Sequence, residues 1–155
     1  MTVAGAWMQL NEILRTIRSD KISRSIPKEI VALYLYGSSV TGKLRNESDI
    51  DIAFLPSHKT TKGERLIILA KVEGSIEKLL REMGISREIS VLDLREKYVS
   101  VSLQYKVITE GILIYEKDAL ERLEFENIVK REYFDFVPYL RFLRKRKYGH
   151  LLQKI

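Results

Sequence analysis

The chain contains no cysteine. That excludes a disulfide framework, a thiolate metal site and a cysteine nucleophile. Proline occurs three times and glycine eight times, so no segment reads as a flexible linker. There is no internal repeat and no low-complexity stretch. Long apolar runs are missing too. Residues Ile30–Tyr36 are typical of those present, and they fall far short of what a bilayer requires. No basic residue precedes the apolar part of Met1–Leu14, as a secretory signal needs. The expectation is a soluble, cytoplasmic protein.

What is present suits one folded domain. The chain has 155 residues, of which 45% are hydrophobic and 31% charged. Its net charge of +6 comes from 27 basic and 21 acidic residues, and the excess sits at one end. Residues 141–155 carry Arg141, Arg144, Lys145, Arg146, Lys147 and Lys154 with no acid among them. Without those six cations the remainder is neutral. The body is therefore not a broadly basic nucleic-acid binder, and the tail needs its own explanation.

Periodicity outlines the elements. Ala6–Arg18 places Trp7, Leu10, Ile13, Leu14 and Ile17 at helical spacing. Ser19–Pro27 is polar and turn-like. Ile30–Tyr36 is a continuous β-forming run that stops at Gly37, the pattern of a buried strand. Asp49–Leu55 predicts a second strand, ended by Pro56, and Lys59–Lys62 a polar loop. Glu64–Met83 predicts a long helix capped by Gly84. Glu88–Leu94 reads as a third strand, Val99–Thr109 as a helix and Ile112–Tyr115 as a fourth strand. From Asp118 the pattern is helical, interrupted at Pro138. Strands alternating with helices define an α/β fold, a sheet covered by helices. The expected division is a core over residues 1–116 and a C-terminal helical extension over 117–155, within the same domain.

The chemistry concentrates in Gly37–Asp51. A Gly-Ser pair closes the first strand, and Asp49-Ile50-Asp51 opens the second after ten intervening residues. Side chains at i and i+2 of a strand share a face, so Asp49 and Asp51 project together. Two adjacent carboxylates raise each other's pKa unless a cation lies between them. Mg²⁺ prefers such oxygen ligands and carries triphosphate oxygens with it. Gly37 permits close backbone approach. Ser38 and the amides after it, Ser39 included, would open a short helix whose N-terminus suits phosphate. Phosphates on one side and a bridging metal on the other are the layout of phosphoryl or nucleotidyl transfer.

This Gly-Ser, ten-residue, Asp-x-Asp arrangement resembles the signature of nucleotidyltransferases with a DNA-polymerase-β-like fold, and the short chain resembles their minimal nucleotidyltransferase branch. Arg87-Glu-Ile-Ser-Val-Leu-Asp-Leu94 is similar to that branch's third core strand, and Ile108–Glu116 to the segment after it. Phe125-Glu126 and Arg131–Tyr139 resemble the C-terminal region of members that act as antitoxins to HEPN-type ribonuclease toxins. The resemblance implies a small mixed sheet flanked by helices with a C-terminal helical extension. It implies Mg²⁺-dependent transfer of AMP from ATP to a hydroxyl, a tyrosine of the partner toxin. Asp49 and Asp51 would bind Mg²⁺, and Gly37, Ser38 and Ser39 the nucleotide phosphates.

Two positions depart from the pattern. Val40-Thr41-Gly42 stands where members often have Ala-Arg-Gly, so one cationic phosphate partner is missing unless Lys43 or Arg45 substitutes for it. The family's third carboxylate, which completes metal binding and takes the proton of the attacking hydroxyl, falls in the column of Ser90. Glu88 shares Ser90's face by alternation and ranks ahead of Asp93, which faces the other way. Glu88 is thus the third catalytic candidate beside Asp49 and Asp51. The alternative is a degenerate module that binds nucleotide, or silences the toxin, by contact alone.

His58 and His150 have no partner at metal-ligand spacing and read as solvated. The tail places Arg141–Lys147 beside many aromatics: Phe125, Tyr133, Phe134, Phe136, Tyr139 and Phe142. That number of aromatics points to packing on the core or on another chain. A solvated helix end, where cations suit the C-terminal dipole, is the first reading of the tail; a contact with an acidic protein partner comes next, ahead of a nucleic-acid contact.

Overall fold

The computed structural model describes residues 20–37, 40 and 49–152, with Asn11, Leu14 and Arg15 as further helical positions. The helix expected over residues 6–18 otherwise lies outside the described residues, as does the short helix expected after Ser38 except at Val40. The described elements are α1 (Asp20–Ser25), β1 (Ile30–Tyr36), β2 (Ile50–Pro56), α2 (Lys62–Glu82), β3 (Ile89–Asp93), α3 (Val101–Glu110), β4 (Ile112–Glu116) and α4 (Ala119–Leu152). Four strands form one mixed sheet in the order β3-β2-β1-β4. β1 pairs antiparallel with both β2 and β4, while β2 and β3 run parallel. A parallel pair needs a long crossover, and α2 supplies it. The small mixed sheet flanked by helices is the fold class expected above.

The two apolar faces explain the layering. Leu33 and Leu35 of β1, Ile50, Ile52 and Phe54 of β2 and Ile89 of β3 meet Ile68, Val72, Ile76, Leu79 and Leu80 of α2. Ala32, Tyr34, Ala53 and Leu55 point the other way, toward Val107 of α3 and Phe125 and Val129 of α4. An irregularity between Ile30 and Ala32 shifts the register. It lets Ile30 join the first face while both Val31 and Ala32 join the second. Each fully buried aliphatic side chain here contributes roughly 1.5–3 kcal/mol.

Capping sets the helix limits. The Glu64 amide donates to the Thr61 hydroxyl at 3.2 Å at the start of α2, and the Leu103 amide to Ser100 at 3.1 Å at the start of α3. Gly84 takes φ +73° after α2, where its amide donates to the Arg81 carbonyl and that of Ile85 to the Leu80 carbonyl.

Two expectations change. Residues 20–25 form a helix rather than a turn. Ile22 and Ile26, four apart, both bury in the first core, and tertiary burial overrides the polar local sequence. Pro138 does not interrupt α4, which continues to Leu152. A proline in an exposed helix forfeits its bond to the carbonyl four residues back, here that of Phe134. Pro138 is exposed, so water can reach that carbonyl.

α4 is clamped to the sheet through its first half. The Tyr34 hydroxyl donates to Glu126 Oε1 at 2.7 Å, and Arg122 Nη1 donates to both Glu126 oxygens at 3.0 Å. Arg95 lies over the Phe125 ring, 5.3 Å from its centroid. Burial and the neighbouring Glu126 carboxylate hold the Tyr34 phenol well above the ordinary tyrosine range, so it stays a donor.

Candidate active site

Asp51 sits in the first turn of pairing along β2. It is cross-strand from Tyr36 on one side and from Ser90 on the other. Its neighbours Ile50 and Ile52 face α2, so alternation turns Asp51 to the opposite face, together with Tyr36 and Ser90. Asp49 immediately precedes the strand and is exposed, whereas Asp51 is half-buried. The carboxylate of Asp51 lies against the backbone of Gly37. A Cβ built on Gly37 would fall 2.4 Å from Asp51 Oδ2 and 3.2 Å from Cγ. Gly37 has φ +75°. It is required twice over, for the left-handed turn and for the approach of the acid. The chain then turns at once, with the Val40 amide donating to the Gly37 carbonyl at 3.1 Å.

Among the described residues, no cation compensates the pair. Burial raises the Asp51 carboxyl above the usual aspartate range, and the negative Asp49 raises it further. The same site pushes the Tyr36 phenol up to about 12, through burial first and Asp51 second. Among the described residues neither Asp49 nor Asp51 forms an ion pair. Sequence reasoning missed Tyr36; its only signal is that it precedes the glycine, and the register reveals it as Asp51's neighbour.

The other candidates divide. Ser38, Ser39, Lys43 and Arg45 lie outside the described residues. Glu88 is exposed, and its carbonyl accepts from the Ile50 amide at 2.9 Å. That bond sets Glu88 beside the entrance of β2, two register positions before the Asp51–Ser90 pair. It also lines a 280 Å³ surface cavity with Glu77 and Arg81. Among the described residues no three acids or histidines converge on a metal position, so Glu88 does not join Asp49 and Asp51 in a three-acid cluster. Asp93 faces α2, where Arg65 Nε donates to its Oδ2 at 2.9 Å and the Arg95 amide to its Oδ1 at 2.9 Å. Burial still raises its pKa, outweighing Arg65. Asp93 is a structural acid at the far end of the sheet.

His58 was expected to be solvated. It is exposed, but its ring Nδ1 contacts Glu121 Oε1, and its amide donates to the same oxygen at 3.0 Å. The contact ties the β2–α2 loop to α4. The side chain of His150 lies outside the described residues.

The family model for polymerase β nucleotidyltransferases matches residues 20–120. The chain belongs to that family. Comparison with curated proteins finds no match. Among solved structures, a toxin–antitoxin crystallised with AMP-PNP is 24% identical, with TM-score 0.53, and the match covers 92% of this chain and 98% of that one. A mutant of the MntA–HpeT toxin–antitoxin is 21% identical, with TM-score 0.54 and the same coverage. A protein from Shewanella oneidensis is 18% identical, with TM-score 0.51, again covering 92% and 98%. These likenesses show the fold. No helix among the described residues is long and apolar enough to cross a membrane.

Proposed function

We propose that this nucleotidyltransferase-family protein transfers AMP from ATP to a tyrosine hydroxyl of a HEPN-type toxin, and so acts in the cytoplasm as that toxin's antitoxin. The observation that carries the reading is the Asp49–Asp51 pair at the mouth of β2, its second acid pressed on a glycine with no room for a side chain. Its support is the family match together with the neighbours, one of them a toxin–antitoxin crystallised with AMP-PNP.

The donor set fits Mg²⁺. Two oxygen acids on one strand face repel each other and raise Asp51. Mg²⁺ is commonly held by one or two carboxylates plus substrate phosphates. Asp49 and Asp51 would hold it, and its charge would neutralise the triphosphate and stabilise the attacking and leaving oxygens. Gly37, Ser38 and Ser39 would receive the phosphates at the turn that follows β1. The tyrosine oxygen bonds to the α-phosphorus as the α–β bridging bond breaks and pyrophosphate leaves. Glu88, beside the entrance of β2, takes the hydroxyl proton. Incubation with labelled ATP, Mg²⁺ and the toxin should label the toxin. Asp51→Asn should lower labelling by at least about a hundredfold, and Glu88→Gln should lower it with nucleotide affinity kept. Labelling by Asp51→Asn at the wild-type rate would refute the reading.

A second reading has its own observation. Asp51 pairs with Ser90, which supplies no carboxylate. A module that retains nucleotide without turnover would bind ATP and Mg²⁺ in calorimetry yet label nothing, and would silence the toxin by contact.

A further inference from the structure

We infer that the projecting half of α4 is a docking surface for an acidic, apolar-grooved face of the partner protein. This deepens the reading above and rests on the chain being one half of a pair. α4 has 34 residues, about 51 Å at 1.5 Å per residue. β1 has seven, about 23 Å. The helix therefore outruns the body it packs on. Glu126, Val129, Tyr133, Phe136, Leu140 and Leu143 follow one another at alternating three- and four-residue steps, which puts them on one continuous stripe.

The first half of that stripe is covered. Glu126 bonds Tyr34, Val129 is in the second core, and Tyr133 stacks on Tyr105 of α3 with ring centroids 3.7 Å apart. The stripe continues uncovered. Among the described residues, none of α4 beyond Tyr133 belongs to either core cluster. The stripe's members Phe136 and Leu143 are 41% and 40% exposed, and Tyr139 and Phe142, off the stripe on the same stretch of helix, 56% and 57%. A helix does not keep four large apolar side chains in water for its own stability.

Charge selects the occupant. Residues 136–155 contain no acid, and Arg141, Arg144, Lys145, Arg146 and Lys147 border the apolar residues. A second copy laid along this stretch would set cation against cation. A nucleic acid would answer the cations and leave Phe136, Leu140 and Leu143 without an apolar partner. A protein face with acids flanking an apolar groove answers both.

The test uses the full chain and its HEPN-type toxin, co-expressed and then measured by calorimetry. The combined substitution Phe136→Ala, Tyr139→Ala and Leu143→Ala should weaken toxin binding at least a hundredfold and leave the melting temperature and ATP affinity unchanged. Arg144→Glu with Lys145→Glu should weaken binding at least tenfold at low salt and remove most of its salt dependence. Asp51→Asn should bind the toxin as wild type does. A wild-type chain that docks the toxin and does not label it therefore sinks the transfer reading alone. Three results would overturn the docking surface: toxin affinity unchanged in the apolar variant; a wild-type homodimer that this variant dissolves; or binding of a 20-nucleotide RNA, lost on charge reversal, while toxin affinity holds. A wild-type chain that does not bind the toxin overturns it as well.

Discussion

Two glycines of this chain adopt nearly the same left-handed backbone in different surroundings, and substituting each by alanine separates strain from crowding. Gly37 has φ +75° and Gly84 φ +73°. A Cβ at Gly84 meets nothing within 4 Å, whereas one at Gly37 falls 2.4 Å from Asp51 Oδ2. Both alanines take on the left-handed strain, about 1–2 kcal/mol. In a chain of this size that lowers the melting temperature by roughly 2–8 °C. Gly84→Ala should do only that. Gly37→Ala must also displace the Asp51 carboxylate. The struck atom is a side-chain oxygen, so Asp51 can rotate away. The added stability cost is therefore small, and the functional cost is large. ATP affinity in Mg²⁺ should fall by at least tenfold, and labelling of the toxin by roughly a hundredfold or more. Paired thermal melts, calorimetry and labelling decide it. Gly37→Ala with the melting shift of Gly84→Ala and wild-type nucleotide binding would refute the account of Gly37 as the floor beneath Asp51.

Other perturbations follow from the paired and unpaired acids. The folded-state pKa of Asp51 is raised, so the folded chain holds that proton more tightly than the unfolded chain, and stability falls as pH rises from the ordinary aspartate range through the raised value. Asp51→Asn should flatten that fall and raise the neutral-pH melting temperature of the nucleotide-free protein; a lower temperature than wild type would contradict it. Arg65→Ala strands the buried Asp93 and should cost about 3–5 kcal/mol in urea unfolding, with labelling retained at temperatures where the variant is folded. Tyr34→Phe removes the hydroxyl that donates to buried Glu126 and should cost about 1.5–3 kcal/mol. The Tyr34 pKa is raised in the folded state, so wild-type stability should fall above the ordinary tyrosine range, a loss that Tyr34→Phe should reduce.

Much of this fold is legible in the sequence where one element has one dominant signal. Ile30–Tyr36 is apolar at every position because both of its faces are covered, and its observed limits coincide with the run. Gly84 marks the end of α2 because the backbone there needs a left-handed residue. The missed helix at residues 20–25 shows the converse. Its signal is only two isoleucines, and their destination is a core assembled from distant strands. Pro138 misleads because a local rule about hydrogen bonds gives no information on whether water can satisfy the freed carbonyl. The site is partly legible for the same reason. Alternation puts Asp49 and Asp51 on one face, and once the resemblance places Ser90 beside them, alternation along the third strand puts Asp93 on the other. The contact of Asp51 with Gly37, and the placing of Tyr36 beside it, depend on the pairing of β1 with β2 across a thirteen-residue separation, which no local pattern encodes.

The distribution of charge across the sheet argues for function more strongly than any single residue. At the end of the sheet where β2 and β3 finish, acids are matched: Asp93 by Arg65, Glu96 by Lys62, Glu121 by His58. Under α4, Glu126 is met by Tyr34 and Arg122. Folding on its own selects such pairings, because a buried charge without a partner costs stability. At the opposite end, Asp51 is half-buried with a second carboxylate beside it and, among the described residues, no cation bonded to it. An apolar or amide side chain at position 51 would suit the fold better. A ligand that binds only the folded state and carries compensating positive charge recovers that deficit in proportion to its own affinity. Such a local violation is what the proposed Mg²⁺ and nucleotide site would leave in the fold. The same logic supports the docking surface proposed for the projecting half of α4, where exposed aromatics lie in a stretch that carries cations and no acid.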